Sequence, residues 1–376
     1  MASIVLWQNI PSIHQAPLVR ELARQWAGPV LLVVEEGLSQ HRHKQGWQQP
    51  DFGNAELIIR PSRQHRHEII SNAGENSIHL FSGIRAYPET YWSLKQVACT
   101  NASLAIYAEH VDDRGLRGPI KRLQYSFDAL RWGSRVDLML ITGQRGREWF
   151  AQRGFPVKNI APFAYFPEPV CLDASAFPLT LKQSVDQINL LFLAELIPRK
   201  GVDILLISLS GLQDYPWLLR IAGIGSHGLV YQQLAEQLGI ADRLEWLGSL
   251  PNHQVPALMA ESDCLILPSR FDGWGAVVNE ALLAGTPALV SDACGASELV
   301  ESSDRGLVFA ADSQAALTQA LADQFHKGPN SSVHRLAIQA WAHHSISPAV
   351  AAQYLLDQFE IVNLPDQPLC RAPWLI

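Results

Sequence analysis

Through most of the chain, short apolar runs alternate with stretches whose apolar residues recur every three or four positions, the pattern of a wound parallel sheet. In the first half the runs at 3–7, 29–34, 55–59, 78–81, 103–108 and 137–142 predict strands. Between the first two lies 17–26, where Leu18, Leu22 and Trp26 repeat at i, i+4, i+8 and predict a helix opened by Pro17. The second half repeats the plan more cleanly. Its strands are expected at 188–194, 217–222, 244–247, 264–267 and 288–291, and its helices at 202–209, 229–238, 255–261, 277–284 and 314–325. Two further helical stretches, 333–342 and 348–362, finish the chain. The proline-bearing stretch 162–185 lacks periodicity and reads as a linker. The expected organisation is therefore α/β: a Rossmann-like domain over 1–165, a linker at 166–187, a second Rossmann-like domain over 188–345 and a closing helix and tail at 346–376. Two such domains would meet at a cleft, where α/β proteins bind ligands.

With 376 residues, each half is long enough to bury a core of its own. Hydrophobic residues make up 48% and charged residues 17%, a globular composition. A net charge of −7 argues against binding nucleic acid, whose phosphates demand clustered Lys and Arg. The first residues read as a strand rather than a leader, and no apolar run approaches the ~18 residues of a membrane span. Cys99, Cys171, Cys264, Cys294 and Cys370 are odd in number and scattered, which predicts buried thiols in a reducing, cytoplasmic setting and no zinc site.

The densest chemistry lies in Pro268-Ser-Arg-Phe-Asp-Gly-Trp-Gly-Ala-Val-Val-Asn-Glu280. A strand ends at Pro268, a turn follows, and a helix begins near Ala276 and Val277. Gly273 and Gly275 allow close backbone approach to a ligand, and the helix start offers N–H groups with partial positive charge. That combination suits a diphosphate. Acids flanking such a turn, Asp272 and Glu280, suit neutral hydroxyls on either side of it. The same residues also fit a plain capped helix, with Asp272 as cap and Glu280 on a solvated face.

The segment resembles the family 4 retaining glycosyltransferases, which carry two acids seven residues apart in P-S-x-x-E-G-F-G-x-x-x-x-E. The resemblance covers 188–312 and, more faintly, the whole chain. It implies two Rossmann-like domains in the GT-B arrangement and a nucleotide-diphospho-sugar donor, UDP- or GDP-linked. No cofactor or metal is implied. Glu280 inherits the ribose contact. Asp272 inherits the sugar contact with an acid one methylene shorter than usual, and Trp274 stands for the customary Phe. Phe192-Leu-Ala-Glu-Leu-Ile-Pro-Arg-Lys-Gly-Val-Asp203 resembles the family's strand–loop–helix opening. Lys200 there matches the lysine that neutralises the departing pyrophosphate. Glu195 replaces the usual arginine, and Arg199 is the candidate to supply the missing cation. Gly223 and Gly225 resemble the family's turn near the donor, and Leu247 to Leu250 the loop whose backbone holds the base. The turn at 292–298 takes the place of one facing sugar and phosphates. The resemblance further implies that the last helix crosses back to the first domain.

In the first half the signals are weaker. Pro11, Ser12 and His14 follow the first strand and would face a cleft, or would open a helix. His110, beyond the strand at 103–108, is the candidate group beside the transferred sugar, with Glu109 and His79 as rivals. Asp112-Asp113 lacks the spacing of a metal-binding acid pair and reads as a solvated loop. The clusters at 41–44 and 65–67 read as solvated, mobile surface. They also admit a weak peripheral attraction to an anionic membrane-surface acceptor. The expectation is a metal-independent retaining glycosyltransferase of surface polysaccharide biosynthesis, acting on a saccharide or lipid-linked saccharide. The rivals are a nucleotide-sugar epimerase and a catalytically silent nucleotide-sugar-binding protein.

Overall fold

The computed structural model describes residues 2–38, 48–169, 187–301, 304–362, 364 and 367–375. The chain divides into two compact units, 1–167 with 346–376, and 168–345. Most of the segment expected as a linker, 170–186, lies outside the described residues, as do 41–44 and Cys171.

The first unit is built on seven strands: β1 (Ile4–Gln8), β2 (Val30–Val34), β3 (Glu56–Ile59), β4 (Ile78–Ser82), β5 (Ser103–Ala108), β6 (Leu138–Thr142) and β7 (Ile160–Phe163). Their order is β3-β2-β1-β4-β5-β6-β7, and every pairing is parallel. All five residues of β1 are buried, as a strand covered on both faces requires. The order reverses between β1 and β4, so the loops leaving these strands diverge and open a crevice at their C-terminal ends.

Helix α1 (Ala16–Gln25) buries Leu18, Val19 and Leu22, each at 1% exposure or less. It starts one residue before Pro17, and Trp26 lies just past its end, its indole N–H donating to Ala2 O at 2.9 Å. The unit also contains α2 (Arg63–Ala73), α3 (Pro88–Val97), α4 (Gly118–Trp132) and α5 (Gln144–Gln152). The sequence pattern did not expose these helices, nor the short strand β7, whose Pro162 is tolerated at a sheet edge. The last helix, α12 (Pro348–Val362), belongs to this unit. Gln25 donates to Ala349 O at 3.0 Å, Tyr354 donates to Pro162 O at 2.8 Å, and Trp374 packs beside Phe166.

Two expectations fail here. In the stretch 65–67, at the start of α2, His65 and His67 are exposed as expected, but Arg66 is 1% exposed over the Trp7 ring and donates to Ser93 Oγ at 3.2 Å. His79 is fully buried in the core. Trp7 Nε1–H donates to its Nδ1 at 3.1 Å, leaving the proton on Nε2 to reach Ser77 Oγ at 2.9 Å, and Ser77 donates onward to Gly74 O at 2.6 Å. Burial pushes the His79 pKa down to about 3. It is a neutral structural group.

The second unit repeats the winding. Its strands are β8 (Ile188–Leu193), β9 (Trp217–Ala222), β10 (Leu244–Gly248), β11 (Cys264–Leu267), β12 (Ala288–Ser291) and β13 (Gly306–Phe309), all parallel, in the order β10-β9-β8-β11-β12-β13. Its helices are α6 (Val202–Ser210), α7 (Gly228–Gln237), α8 (Val255–Glu261), α9 (Val277–Leu283), α10 (Gln314–Lys327) and α11 (Ser332–Ile346). The core joins β8, β9 and β11 to α6 and α10 through Leu190, Phe192, Leu219, Leu205, Ile266 and Leu321. Full burial of each such side chain stabilises by roughly 1.5–3 kcal/mol. The order again reverses between β8 and β11, so the ligand crevice of this sheet is expected where the loops after those two strands part. Cys264 and Cys294 are buried, as expected, but Cys99 is exposed.

Candidate active site

The loops after β8 and β11 do lie side by side, strapped by backbone. Arg199 Nη1 donates to Phe271 O at 2.9 Å, and the Arg270 N–H donates to Arg199 O at 2.8 Å. Gly201 sits at φ +71°, and a Cβ on it would lie 2.1 Å from Pro268 O, so only glycine lets the two loops meet. Arg270 forks onto both oxygens of Asp203 at 2.9 and 2.8 Å and also grips Asp312 and Pro198 O. Its role is to hold the frame.

Within that frame Lys200 Nζ meets Asp272 Oδ2 at 2.5 Å, with both side chains about seven-eighths covered (14% and 13% exposed). Asp272 is fixed from behind by the loop after β12: its N–H donates to Ala293 O at 3.1 Å and its carbonyl accepts from Gly295 N at 3.2 Å. The turn at 292–296 thus backs the acid. Asp272 is not a helix cap, since α9 begins at Val277 after Ala276, with no side-chain cap.

Gly275, at φ +95°, makes the turn into α9, and a Cβ there would press to 2.8 Å on Leu267. Trp274 is 1% exposed and donates to Asn279 Oδ1 at 2.7 Å, pinning the turn to the first turn of α9. Its ring is core, so only its backbone is available to a ligand. Glu280 stands in the first turn of α9, partly covered; its backbone is bonded within the helix, but its carboxyl has no hydrogen-bonding partner among the described residues. Burial pushes its carboxyl up to about 7. A solvated face residue would show neither property.

The remaining expected residues fall on the same edge of the sheet. Gly223 N donates to Gly248 O at 2.7 Å, and Leu196 N to Ile224 O at 3.1 Å, so the loops after β8, β9 and β10 run together. A Cβ on Gly223 would lie 1.9 Å from Ala194 O, and one on Gly225 2.4 Å from Leu196 O. Both glycines are therefore required by backbone packing, whatever else they touch. Leu247 and Leu250 are half-buried beside the turn at Gly248, and Glu195 is exposed.

In the first unit a cavity of about 410 Å³ opens at the reversal of strand order. Residues following β1 (Asn9, Ser12, His14), β4 (Gly83, Tyr87) and β5 (Glu109) line it, with Tyr107, Tyr125 and Tyr165. Its lining contains no lysine or arginine. Tyr165 donates to Glu109 Oε1, and burial raises the pKa of both Tyr107 and Tyr165 well above the usual range. The Tyr107 hydroxyl is buried without a hydrogen bond. His110 does not line the cavity. It backs onto α5, where a Cβ on Gly146 would come within 3.3 Å of the His110 Cβ, and burial lowers its pKa. The group that faces the space from this strand end is Glu109. Asp112 and Asp113 are not simply solvated either: Asp112 pairs with Arg114 at 2.8 Å, and Asp113 with Arg122 at 3.0 Å and the Trp149 indole N–H at 2.9 Å. Among the described residues no three His, Cys, Asp or Glu side chains gather as metal ligands. Tyr107 and Tyr165 were missed by sequence reading, and the available signal was Tyr107 standing two residues before Glu109 on one strand face.

Residues 180–340, the stretch that contains Lys200, Asp272 and Glu280, match the model of glycosyl transferases group 1. The second domain belongs to that family. Similar proteins include a GDP-mannose-dependent alpha-(1-6)-phosphatidylinositol monomannoside mannosyltransferase of Mycolicibacterium smegmatis, 29% identical over 40% of this chain and 42% of that protein. A putative colanic acid biosynthesis glycosyltransferase of Escherichia coli is 27% identical over 50% of this chain and 47% of its own. The chain thus spans less than half the length of these curated relatives. Among solved structures, a glycosyltransferase from Rickettsia africae superposes with a TM-score of 0.71 at 13% identity, covering 97% of this chain and 100% of its own. An Anabaena protein solved in complex with UDP superposes with a TM-score of 0.69 at 17% identity, over 96% of this chain and 100% of its own. At such identities the likeness shows fold: two Rossmann-like domains in one chain, as in GT-B glycosyltransferases.

Proposed function

We propose that the protein is a retaining glycosyltransferase that moves a sugar from a nucleotide-diphospho-sugar to a saccharide or glycolipid acceptor in the assembly of surface polysaccharide. The observation that carries this is Glu280, a carboxyl with no protein partner among the described residues in the first turn of α9, the helix that follows the turn where Asp272 meets Lys200. Ribose hydroxyls donating to Glu280 would offset the cost of its burial. Lys200 would exchange part of its contact with Asp272 for the diphosphate, with Arg199 and the N–H groups at 276 and 277 beside it. Asp272, freed on that side, would accept from hydroxyls of the donor sugar. The backbone of Gly273, Trp274 and Gly275 would line the phosphates, and the edge from Gly223 and Gly225 to Leu247 and Leu250 the base.

The bond from the anomeric carbon to the phosphate oxygen breaks as the acceptor oxygen bonds to that carbon. The acceptor proton passes to the departing phosphate on the same face, which retains configuration. Cations at the leaving group act where negative charge develops, the place where electrostatic stabilisation lowers a barrier most. Donors linked to UDP and to GDP are both supported, by the Anabaena complex and the mannosyltransferase respectively. The first-domain cavity is the proposed acceptor site. Tyrosine faces, Glu109 and the unbonded Tyr107 hydroxyl suit a ring rich in hydroxyls, and a lining without Lys or Arg suits an uncharged one.

The test is a thermal-shift screen of UDP-, GDP- and ADP-sugars on the wild type, Glu280→Ala and Lys200→Ala, followed by turnover with and without EDTA. Stabilisation of the wild type by one nucleotide class, weakened in both variants, and turnover unchanged by EDTA are expected. No stabilisation by any nucleotide sugar, or variants that bind like wild type, would remove the proposal. Binding without turnover across diverse acceptors would instead favour a silent sugar-nucleotide sensor.

A further inference from the structure

The Lys200–Asp272 pair sets an obstacle before any anionic ligand, because the ammonium proposed for a diphosphate is already neutralised by an acid of its own domain. Lys200 Nζ and Asp272 Oδ2 stand 2.5 Å apart, both side chains are largely covered, and neither enters another ion pair among the described residues. Charges so covered are weakly screened by salt, so each holds the other firmly. Neither is placed to drift away. Lys200 N–H donates to Ile197 O at 3.0 Å, and the Asp272 backbone is bonded on both sides to the loop after β12. A Cβ on Gly275 would lie 3.9 Å from Asp272 Cγ, so the carboxyl rests beside the glycine turn as well as on the ammonium. The neighbouring arginines are engaged elsewhere: Arg199 Nη1 is tied to Phe271 O, and Arg270 forks onto Asp203.

An acid in that place acts differently on a donor and on what remains of it. A nucleotide-diphospho-sugar brings hydroxyls that donate to Asp272 as its phosphates take Lys200, so each partner of the broken pair gains a new one. After transfer the sugar is gone. The nucleoside diphosphate offers Asp272 no donor in return, and a carboxylate left bare beside the phosphates repels them and reclaims the lysine. We propose that Asp272 is an internal competitor for Lys200, which makes the site favour the nucleotide-sugar over the nucleoside diphosphate and speeds release of that product. Product release limits the turnover of many enzymes, so such a competitor acts where it counts. This rests on the reading of Lys200 as the diphosphate contact, and it gives Asp272 a second role, exerted once the sugar has left.

Calorimetric titration of UDP, UDP-glucose, GDP and GDP-mannose on the full chain and its variants separates the two roles. A sugar contact alone predicts that Asp272→Asn leaves the nucleoside diphosphate untouched and weakens the nucleotide-sugar about tenfold. Competition predicts a nucleoside diphosphate bound about tenfold more tightly, since the variant leaves a covered ammonium without its counter-charge. The nucleotide-sugar then changes less than about threefold, the lost sugar contact offsetting the lost competitor. With Lys200→Ala already in place, Asp272→Asn should tighten the nucleoside diphosphate by less than about threefold, because nothing is left to compete for. Asp272→Ser is run in parallel, so that if one variant loses its cooperative melt the other decides. Glu236→Gln, an exposed acid in the last turn of α7, should leave every constant as in wild type and so excludes a general effect of net charge. Nucleoside diphosphate that binds through Lys200 but no more tightly in the Asp272 variants overturns the inference and leaves the transferase reading standing. So does equal tightening with and without Lys200. A wild type that binds neither nucleotide, or Lys200→Ala that binds as well as wild type, removes the transferase reading and the inference with it.

Discussion

Replacing Glu280 by glutamine separates what the acid costs the fold from what it offers a ligand. The folded carboxyl titrates near 7 against an ordinary 4.5, because burial penalises its charge. A folded pKa above the unfolded one means that the folded state holds the proton more tightly. The stability tied to that proton is complete below 4.5 and is lost as the pH rises through 7. Linkage across this window gives a loss of about 2 kcal/mol between pH 5.5 and pH 8, which Glu280→Gln should abolish. For a domain the size of the second unit, that corresponds to a melting temperature at pH 8 higher by roughly 4–8 °C relative to its own value at pH 5.5, compared with wild type. The same change should weaken nucleotide-sugar binding roughly 10- to 100-fold, as expected when a charged hydrogen-bond acceptor is removed. Thermal melts at the two pH values, with calorimetric titration of the nucleotide that binds, give both numbers. Equal pH dependence in the two proteins would refute the burial account of Glu280. A normal affinity in the variant would refute its role toward ribose.

Three further outcomes follow from the geometry. Lys200→Ala should lower turnover about 100- to 1,000-fold, measured as release of nucleoside diphosphate, with little change in melting temperature. His79→Gln should flatten the acid side of the stability curve: His79 is held neutral with its pKa near 3, so the wild type loses stability as pH falls below 6.5. By pH 5 that loss is about 2 kcal/mol, and denaturant titrations at pH 5 and 7.5 would register its absence in the variant. Gly201→Ala should destabilise by roughly 2–5 kcal/mol through left-handed strain and the clash with Pro268 O, so a melting temperature within error of wild type would count against the close loop approach.

Much of the second domain is legible in the chain itself, because its strands are apolar on both faces and its helices carry plain stripes. The strands 217–222, 264–267 and 288–291 and the helix 255–261 stand where periodicity places them. In the first domain α3, α4 and α5 escape, since their apolar residues are few or, in α4, face outward and blur the period. Two more strands escape, β7 with Pro162 inside it and β13 opened by Gly306. At the candidate site one strand–turn–helix carries Asp272 and Glu280 and a second carries Lys200, each legible as a local motif, and the two loops meet because β8 and β11 are neighbours in the sheet. Burial is not local. Nothing in the stretch around Trp274 says that its ring belongs to the core, nor that Gly223 and Gly225 are glycine because another loop's carbonyls press on them. The substitution of Glu109 for His110 at the cavity is a matter of which side of a strand end faces inward, settled by α5 packing behind His110.

The central claim is that the second domain activates a nucleotide-diphospho-sugar by holding its diphosphate at Lys200 and its ribose at Glu280. The most direct measurement is release of nucleoside diphosphate from UDP- and GDP-sugars, with water or simple saccharides as acceptor, in wild type and Lys200→Ala side by side. The account predicts release from at least one donor above the protein-free rate, undiminished by EDTA and lost in the variant. Release that Lys200→Ala leaves intact, or none from a donor the protein demonstrably binds, would contradict it.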